Sequence, residues 1–265
     1  MHLARFKRES NVADYRTLIP GLRYRKRAHS VLKHALKHAP KSGPVLEFGV
    51  YRGRSIRFLA SLSPNTPHYG FDSFEGFPDD GRSDWKQDFR VDSTPEVPDN
   101  VTLVKGFFDK SVPAFLANTP NLTSPRLVHI DCDIFSSTKI IFDHFGKLLG
   151  PGSVIVFDEL LHYRRFRENE FMAFYQFLEA HQLTFRWLAR SGKLLPFKRF
   201  LALHAEQKLP SSIKNFRVQG YHQNVAVVLE KRGADYEDKL NRYSDEAKRL
   251  AELYPLTLGA IHLAK

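Results

Sequence analysis

Two apolar runs rich in β-branched residues in the middle of the chain predict strands that are buried on both faces. They occupy residues 127–133 and 153–159, and each run ends in acidic residues. Residues 136–149 between them have the spacing of a crossover helix, so this segment predicts a parallel βαβ unit. Neighbouring parallel strands end at the same edge of a sheet, and open α/β sheets bind their ligands at that edge.

The same alternation of strand and helix patterns extends along most of the chain. Such alternation is typical of an α/β fold with a largely parallel sheet. Further strands are predicted at residues 44–50, 68–72, 101–106, 184–190 and 224–231, and further helices at residues 23–38, 55–62, 107–118 and 167–181.

The acidic residues at the ends of the two central strands are the first candidates for chemistry. Asp131, Asp158 and Glu159 should converge at the ligand edge of the sheet. Crowded carboxylates repel one another, so they either raise each other's pKa or share a cation. Ligand sets made only of oxygen favour a hard ion such as Mg²⁺, Ca²⁺ or Mn²⁺. The alternative is that strands simply end in polar residues where they leave the core.

A glycine turn between a strand and a helix predicts a second part of the site. Gly49 and Gly53 have the spacing G-x-x-x-G, which differs from the dinucleotide fingerprint G-x-G-x-x-G. Such a turn brings a ligand close to the backbone and to a helix N-terminus. Asp72 ends the next strand, in a position suited to accept hydrogen bonds from the hydroxyls of an adenosine ribose.

Composition indicates one globular domain with basic additions. The chain has 265 residues, of which 42% are hydrophobic, and a formal charge of +11. Residues 1–41 hold eleven Lys and Arg against two acids, which is +9, and residues 193–222 hold six against one, which is +5. The basic segments could face an anionic substrate, nucleic acid or a membrane surface, or they could simply be solvated.

Cysteine content and hydropathy indicate where the protein works. Cys132 is the single cysteine in the sequence, so no disulfide can form within the chain. No apolar run approaches the roughly 20 residues of a membrane span, and we expect no signal peptide. A cytoplasmic location is therefore the expectation.

Five segments together resemble the macrocin O-methyltransferase (TylF) family of class I S-adenosylmethionine (SAM) dependent methyltransferases. They share order and spacing with that family, and the D-S-F-E-G-x-P segment at residues 72–78 is the most specific of them. The other four lie at residues 47–50, 105–109, 130–138 and 156–159. The resemblance implies a Rossmann-like α/β fold with a seven-stranded, mostly parallel sheet, an antiparallel last strand and helices on both faces.

The resemblance also implies how the chain is organised. A methyltransferase domain is expected at residues 42–231, between a basic helical extension at residues 1–41 and a helical tail at residues 232–265. Within the domain, residues 75–100 form a polar connection whose aromatic residues favour a lid. The basic segment at residues 193–222 is expected either beside the substrate or against the domain or a partner subunit, which leaves a homo-oligomer possible.

Matching the family motif residue by residue assigns roles to the site. The resemblance places Glu47, Gly49, Tyr51 and Ser55 at SAM, Asp72 at its ribose, and Ser73, Phe74, Gly106 and Phe108 around the adenosine. It makes Asp131 both a SAM neighbour and the general base, and it assigns a divalent cation, expected to be Mg²⁺, to Asp131, Asp158 and Glu159. The family usually has Asp at position 159 and Gly at position 132, so the longer Glu159 puts the metal site in doubt.

The expected reaction is methyl transfer from SAM to a hydroxyl of a sugar or other polyhydroxylated small molecule. His162 follows the acidic edge and is a further candidate to orient or deprotonate the acceptor, whereas His129 lies within a strand and is expected to be a packing residue. Two alternatives remain. The basic segments could select an anionic substrate such as RNA or a phosphorylated metabolite, or the chain could be a non-catalytic binding protein.

Overall fold

Eight strands form one mixed sheet in the computed structural model, which describes residues 23–25, 28–78, 89–160, 169–191 and 224–234. The order of the strands across the sheet is β1-β7-β8-β6-β5-β2-β3-β4. Their bounds are β1 Arg23–Arg25, β2 Val45–Phe48, β3 His68–Asp72, β4 Val101–Lys105, β5 Leu127–Ile130, β6 Val154–Phe157, β7 Leu183–Ser191 and β8 Val225–Lys231.

The central strands are parallel and the last strand is antiparallel to its neighbours. Strands β2 to β6 pair in parallel, whereas β8 runs antiparallel to both β6 and β7. These strands confirm the Rossmann-like sheet of seven strands expected from the sequence. The short strand β1 adds an eighth, parallel to β7 at the sheet edge.

Strand β1 corrects one predicted helix. We predicted a helix over residues 23–38, but it begins at Ala28 because the backbone of Arg23–Arg25 pairs with residues 189–191 of β7. The apolar spacing that predicted the helix begins at Ala28, so the three preceding residues had no amphipathic pattern holding them in the helix.

Five α-helices cover both faces of the sheet within the described residues. Helices α1 and α2 pack on one face, around Val45, Leu127 and Val156. The other three pack on the opposite face, around Phe48, Phe71 and Phe157. The bounds are α1 Ala28–His38, α2 Arg54–Leu62, α3 Phe108–Asn118, α4 Phe135–Phe145 and α5 Glu170–Ala180, with a 3-10 turn at Gly146–Leu148.

Aromatic stacking fixes helices α4 and α5 against the strands that carry the acidic residues. The rings of Phe142 and Phe177 stack with centroids 4.6 Å apart, and those of Phe157 and Phe174 lie 4.9 Å apart. Such pairs stabilise a packing beyond the area they bury. The start of α5, at Glu170, is thereby held near the carboxyl ends of β5 and β6.

Several predicted segments lie wholly or largely outside the described residues. These are residues 1–22 of the basic extension, the basic segment 193–222, and residues 235–265 of the tail. The predicted lid is described at residues 75–78 and 89–100, where Glu75 forms an isolated antiparallel bridge with Arg90. Within the described ranges, every helix is too short or too polar to cross a bilayer.

Candidate active site

A cavity of about 330 Å³ lies at the carboxyl ends of β2, β3 and β5. That volume falls within the range of small-molecule sites. Six of its lining residues were predicted from the sequence, and they are Gly49, Tyr51, Asp72, Ser73, Phe108 and Asp131. The predicted lid, the loops after β4 and β5 and the first turns of helices α3 and α4 supply the other walls, namely Gly76, Phe77, Pro78, Phe89, Phe107, Asp109, Cys132, Asp133, Ser136, Ser137 and Ile140.

Asp72 organises the backbone on both sides of the cavity entrance. Its Oδ2 accepts hydrogen bonds from the backbone N–H groups of Val50 at 2.8 Å and Tyr51 at 2.7 Å, and its Oδ1 accepts one from Phe74 at 2.7 Å. Tyr51 and Phe74 have φ values of 50° and 59°, which bulky residues rarely adopt. The carboxylate therefore stabilises two strained turns, a role that the sequence did not predict.

Gly49 allows β2 to leave the sheet directly against the end of β5. Its φ is +90°, and a Cβ at this position would lie 1.8 Å from the backbone oxygen of Asp131. The neighbouring backbone is paired on both sides, because Gly49 N–H donates to Phe71 O at 2.9 Å and Asp131 N–H donates to Phe48 O at 2.8 Å. Only glycine fits this close approach, which sets Asp131 beside the turn.

Glu47 and Ser55 contact each other beneath the turn rather than forming part of the cavity wall. Glu47 is fully buried, and its Oε1 accepts a hydrogen bond from Ser55 Oγ at 2.9 Å. Its Oε2 lies 2.9 Å from His129 Nδ1. Both residues were predicted to bind SAM, and this network places them one layer behind Gly49.

Phe74 and Gly106 also lie behind the cavity wall. Phe74 is buried in a small apolar cluster with Val50 and Ile56. Gly106 N–H donates to the backbone oxygen of Asp72 at 2.9 Å, which joins the end of β4 to the end of β3. Both residues support the cavity that Asp72 and Phe108 line.

Asp131 and Asp158 converge as the parallel strands predicted, and they are joined by a residue that we had assigned to packing. A carboxylate oxygen from each and one ring nitrogen of His129 lie within 4.8 Å of one another. Burial raises the pKa of Asp131 well above its usual value, and repulsion from Asp158 and then Asp133 raises it further. The Asn224 side-chain amide donates to Asp158. This group of side chains can hold either a proton or a cation.

Glu159 lies with a second group of buried acids. It is 3% exposed, and with Asp133 it contributes to a pKa of Glu170 that burial, the largest cause, raises well above its usual value. Glu170 Oε1 accepts a hydrogen bond from the Asp133 backbone N–H at 3.2 Å. One sequence signal pointed to Glu170, an acid in the first turn of the helix predicted at residues 167–181, but nothing in the sequence placed that turn beside the site.

Two further predicted features have different outcomes. Cys132 is buried, its Sγ lies 3.3 Å from Thr138 Oγ1, and burial raises the pKa of its thiol. It therefore packs beside the acids as a neutral group. His162, the second catalytic candidate, lies outside the described residues.

Solved methyltransferase structures resemble this fold. CalS11, titled a calicheamicin methyltransferase, is 24% identical with a TM-score of 0.47, over 64% of this chain and 73% of that one. The O-methyltransferase NovP is 17% identical with a TM-score of 0.45, over 61% and 74%. MycE from the mycinamycin biosynthetic pathway, in complex with Mg and SAH, is 16% identical with a TM-score of 0.40, over 60% and 47%. No curated protein sequence matches the chain.

Residues 46–160 match the sequence model of a family described as "Methyltransferase domain". The matched range begins in β2 and ends just after β6, so it contains the glycine turn, Asp72, Asp131 and Asp158. This part of the chain is similar to methyltransferase domains, and the match supports the SAM-dependent methyltransferases as the enzyme class.

Proposed function

We propose that this enzyme methylates a hydroxyl of a sugar or another polyhydroxylated small molecule, in the manner of the macrocin O-methyltransferase family. The observation that carries the proposal is that Asp131, which lines the cavity together with Gly49 and Asp72, meets a second acid, Asp158. A base beside a methyl-donor site suits oxygen acceptors, because a hydroxyl is a poor nucleophile while it is protonated.

SAM supplies an activated methyl group when it is bound. Asp72 supports a ribose contact, since its Oδ1 accepts one backbone hydrogen bond, from Phe74, and keeps a second lone pair for a ribose hydroxyl. Phe77, Phe89 and Phe108 in the cavity wall offer flat apolar surfaces to the adenine ring of SAM. Gly49 leaves room for a ligand to approach the backbone at the turn, which favours binding there.

Asp131 is the proposed general base. Its raised pKa makes the carboxylate a stronger base than an exposed aspartate. As the hydroxyl oxygen forms its bond to the methyl carbon and the bond from that carbon to sulfur breaks, the hydroxyl proton passes to Asp131. The residues around the cavity contribute by holding oxygen, carbon and sulfur in line, since positioning supplies much of the rate of such a displacement.

A divalent cation fits the residues at this edge. Asp131 and Asp158 offer two carboxylates to a shared ion, and the repulsion that raises the pKa of Asp131 is relieved by a positive charge. Such an ion, expected to be Mg²⁺, would lower the pKa of a bound hydroxyl and could hold two adjacent hydroxyls of a polyol. We propose a polyhydroxylated acceptor because such a molecule offers the ion two adjacent hydroxyls.

Calorimetric titration of SAM, first with EDTA and then with excess Mg²⁺, tests the cofactor and the cation separately. We expect SAM to bind the wild type and Asp72→Ala to lose binding, with circular dichroism showing that the variant is folded. A folded wild type that binds no SAM in either condition would contradict the proposal.

Turnover with a panel of polyhydroxylated acceptors then tests the base. Asp131→Asn should lower turnover about 10²- to 10⁴-fold, the usual contribution of a general base, while SAM still binds. Asp143→Asn, an exposed aspartate on α4 that pairs with Lys139, is the matched control and should keep wild-type turnover. Full turnover in Asp131→Asn would remove Asp131 from the proposed role.

A further inference from the structure

His129 combines complete burial with one unsatisfied nitrogen. Its side chain is 2% exposed, and Nδ1 lies 2.9 Å from Glu47 Oε2. The opposite nitrogen, Nε2, is buried and has no hydrogen-bond partner among the described residues. Buried polar atoms without a partner are rare and point to a missing proton, water or ion.

The side chains nearest this imidazole offer acceptor oxygens, so Nε2 needs a proton or a cation to meet them. Asp131 and Asp158 are carboxylates, and a neutral histidine that donates from Nδ1 to Glu47 presents a bare lone pair at Nε2. The three ligand atoms lie within 4.8 Å of one another, yet no hydrogen bond joins them to Nε2. Two protein atoms that each lie ~2.1 Å from one metal ion are separated by roughly 3 to 4 Å, so atoms that already lie within 4.8 Å of one another reach a shared ion through a side-chain shift of about 1 Å.

The pairing of strands explains why these groups meet. His129 lies on β5 and Asp131 comes directly after that strand, where its N–H still donates to Phe48 O of β2, so the two side chains lie on the same face of the sheet. Glu47 of β2 is directly opposite His129 in the parallel register. The Glu47 carboxylate therefore lies at Nδ1 of the imidazole, and a carboxylate oxygen from each of Asp131 and Asp158 lies within 4.8 Å of a ring nitrogen.

We propose that His129 Nε2, Asp131 and Asp158 ligate a divalent metal ion and that Glu47 is the positioning residue for the imidazole. This inference rests on the proposed metal-assisted function and changes its ligand set from oxygen alone to nitrogen and oxygen. Glu47 accepts the proton of Nδ1, which fixes the tautomer and makes Nε2 a stronger ligand. It therefore serves the metal through His129.

A nitrogen ligand changes which ion the site prefers. Imidazole suits Fe²⁺, Ni²⁺ and Zn²⁺, whereas Mg²⁺ and Ca²⁺ favour sites made only of oxygen; Mn²⁺ shares that preference for oxygen but, as a transition metal, also takes a nitrogen ligand. We therefore expect Mn²⁺ to bind at least about tenfold more tightly than Mg²⁺ and to displace it.

Electron paramagnetic resonance of Mn²⁺ bound to the full-length protein tests the ligand directly. We expect the wild type to bind Mn²⁺ and pulsed spectra to show coupling to a single ¹⁴N nucleus. His129→Gln should lose that coupling and weaken Mn²⁺ binding by more than 100-fold. Glu47→Gln should weaken it about 10- to 100-fold, the usual effect of losing a partner behind a ligand.

His68→Gln is the matched control, because His68 is also a buried strand histidine but lies on β3 with its Nε2 bonded to Ser63. It should keep both the Mn²⁺ affinity and the ¹⁴N coupling. If His129→Gln fails to fold, a wild-type spectrum that shows bound Mn²⁺ without ¹⁴N coupling still overturns the role of His129.

The outcomes separate this inference from the proposed function. Mn²⁺ binding without ¹⁴N coupling would overturn the role of His129 and leave a site of carboxylates alone, which keeps metal assistance intact. Absence of Mn²⁺ binding to a wild type that binds SAM would overturn both the ligand set and the metal assistance, while the methyltransferase function would stand. Coupling that persists in His129→Gln would assign the nitrogen to another residue and refute the proposal.

Discussion

The turn after β2 should tolerate no side chain at residue 49. Gly49 has a φ of +90°, and an added Cβ would meet the backbone oxygen of Asp131 at 1.8 Å and its carbonyl carbon at 2.6 Å. Gly152 provides a matched control, because its φ is +95° but nothing lies within 4 Å of an added Cβ. The two alanine variants therefore share a conformational cost, and only Gly49→Ala adds a steric one.

The structure gives the size of the difference. A left-handed backbone costs a residue with a Cβ about 1–2 kcal/mol, which is the whole effect expected for Gly152→Ala. A forced contact in a packed region adds about 1–3 kcal/mol, so Gly49→Ala should lose about 2–5 kcal/mol. Real Cβ atoms essentially never approach another atom within 3.0 Å, and the added Cβ would lie only 1.8 Å from the Asp131 backbone oxygen. The backbone of Asp131 must therefore move by more than about 1 Å. Such a misplacement lowers turnover about 100-fold.

Urea unfolding of the wild type and of both variants measures the conformational cost and the steric cost. SAM titration followed by a turnover assay then shows whether the displacement of Asp131 lowers activity. Equal losses of stability in the two variants would refute the steric argument. Wild-type turnover in Gly49→Ala would show that the position of Asp131 does not depend on this turn.

Two predictions concern stability and pH. Burial lowers the pKa of His68 from 6.5 to about 4. As the pH falls, the unfolded chain therefore takes up a proton at this histidine before the folded chain does. The free energy of unfolding should fall between about pH 6.5 and about pH 4, by at most about 3 kcal/mol. His68→Gln should show a shallower decline in urea titrations at pH 7 and 4.5, and identical slopes would refute this. Glu170 has a raised pKa, so it costs the wild type increasing stability as pH rises above the unfolded value near 4.5. Glu170→Gln should therefore gain thermal stability over the wild type from pH 5 to 8, and a lower melting temperature at pH 8 would contradict the assignment.

The sheet could be predicted because its signals are local. Strand β3 was predicted at residues 68–72 and is His68–Asp72, since an apolar run bounded by turn residues reports its own limits. The convergence of Asp131 and Asp158 followed from parallel pairing alone. Both inferences need only the strand pattern and the rule that neighbouring carboxyl ends share an edge.

The composition of the site was harder to predict. The rule that parallel strands end at one edge of the sheet does not say which face of the sheet each side chain occupies. Consecutive residues such as Asp158 and Glu159 point in different directions, so both cannot be placed beside Asp131 by position alone. The period of two that puts His129 on the face of Asp131 was present in the sequence and is the signal we missed. Glu170 comes from a helix on another part of the chain, and only tertiary packing brings it to the site.

Strained backbone at the cavity is held by the same carboxylates that give the site its charge. Tyr51, Phe74 and Asp133 all have positive φ values, and each donates its backbone N–H to a buried or partly buried acid, Asp72 for the first two and Glu170 for the third. Each such conformation costs about 1–3 kcal/mol and persists only where its surroundings stabilise it. Because a carboxylate such as that of Asp72 accepts a hydrogen bond from a strained N–H more strongly than a neutral group does, removing Asp72 removes the support of two turns together with a charge. Asp72 is therefore both a structural and a ligand-binding residue in the proposal, and the loss of SAM binding expected for Asp72→Ala combines a lost ribose contact with two released turns.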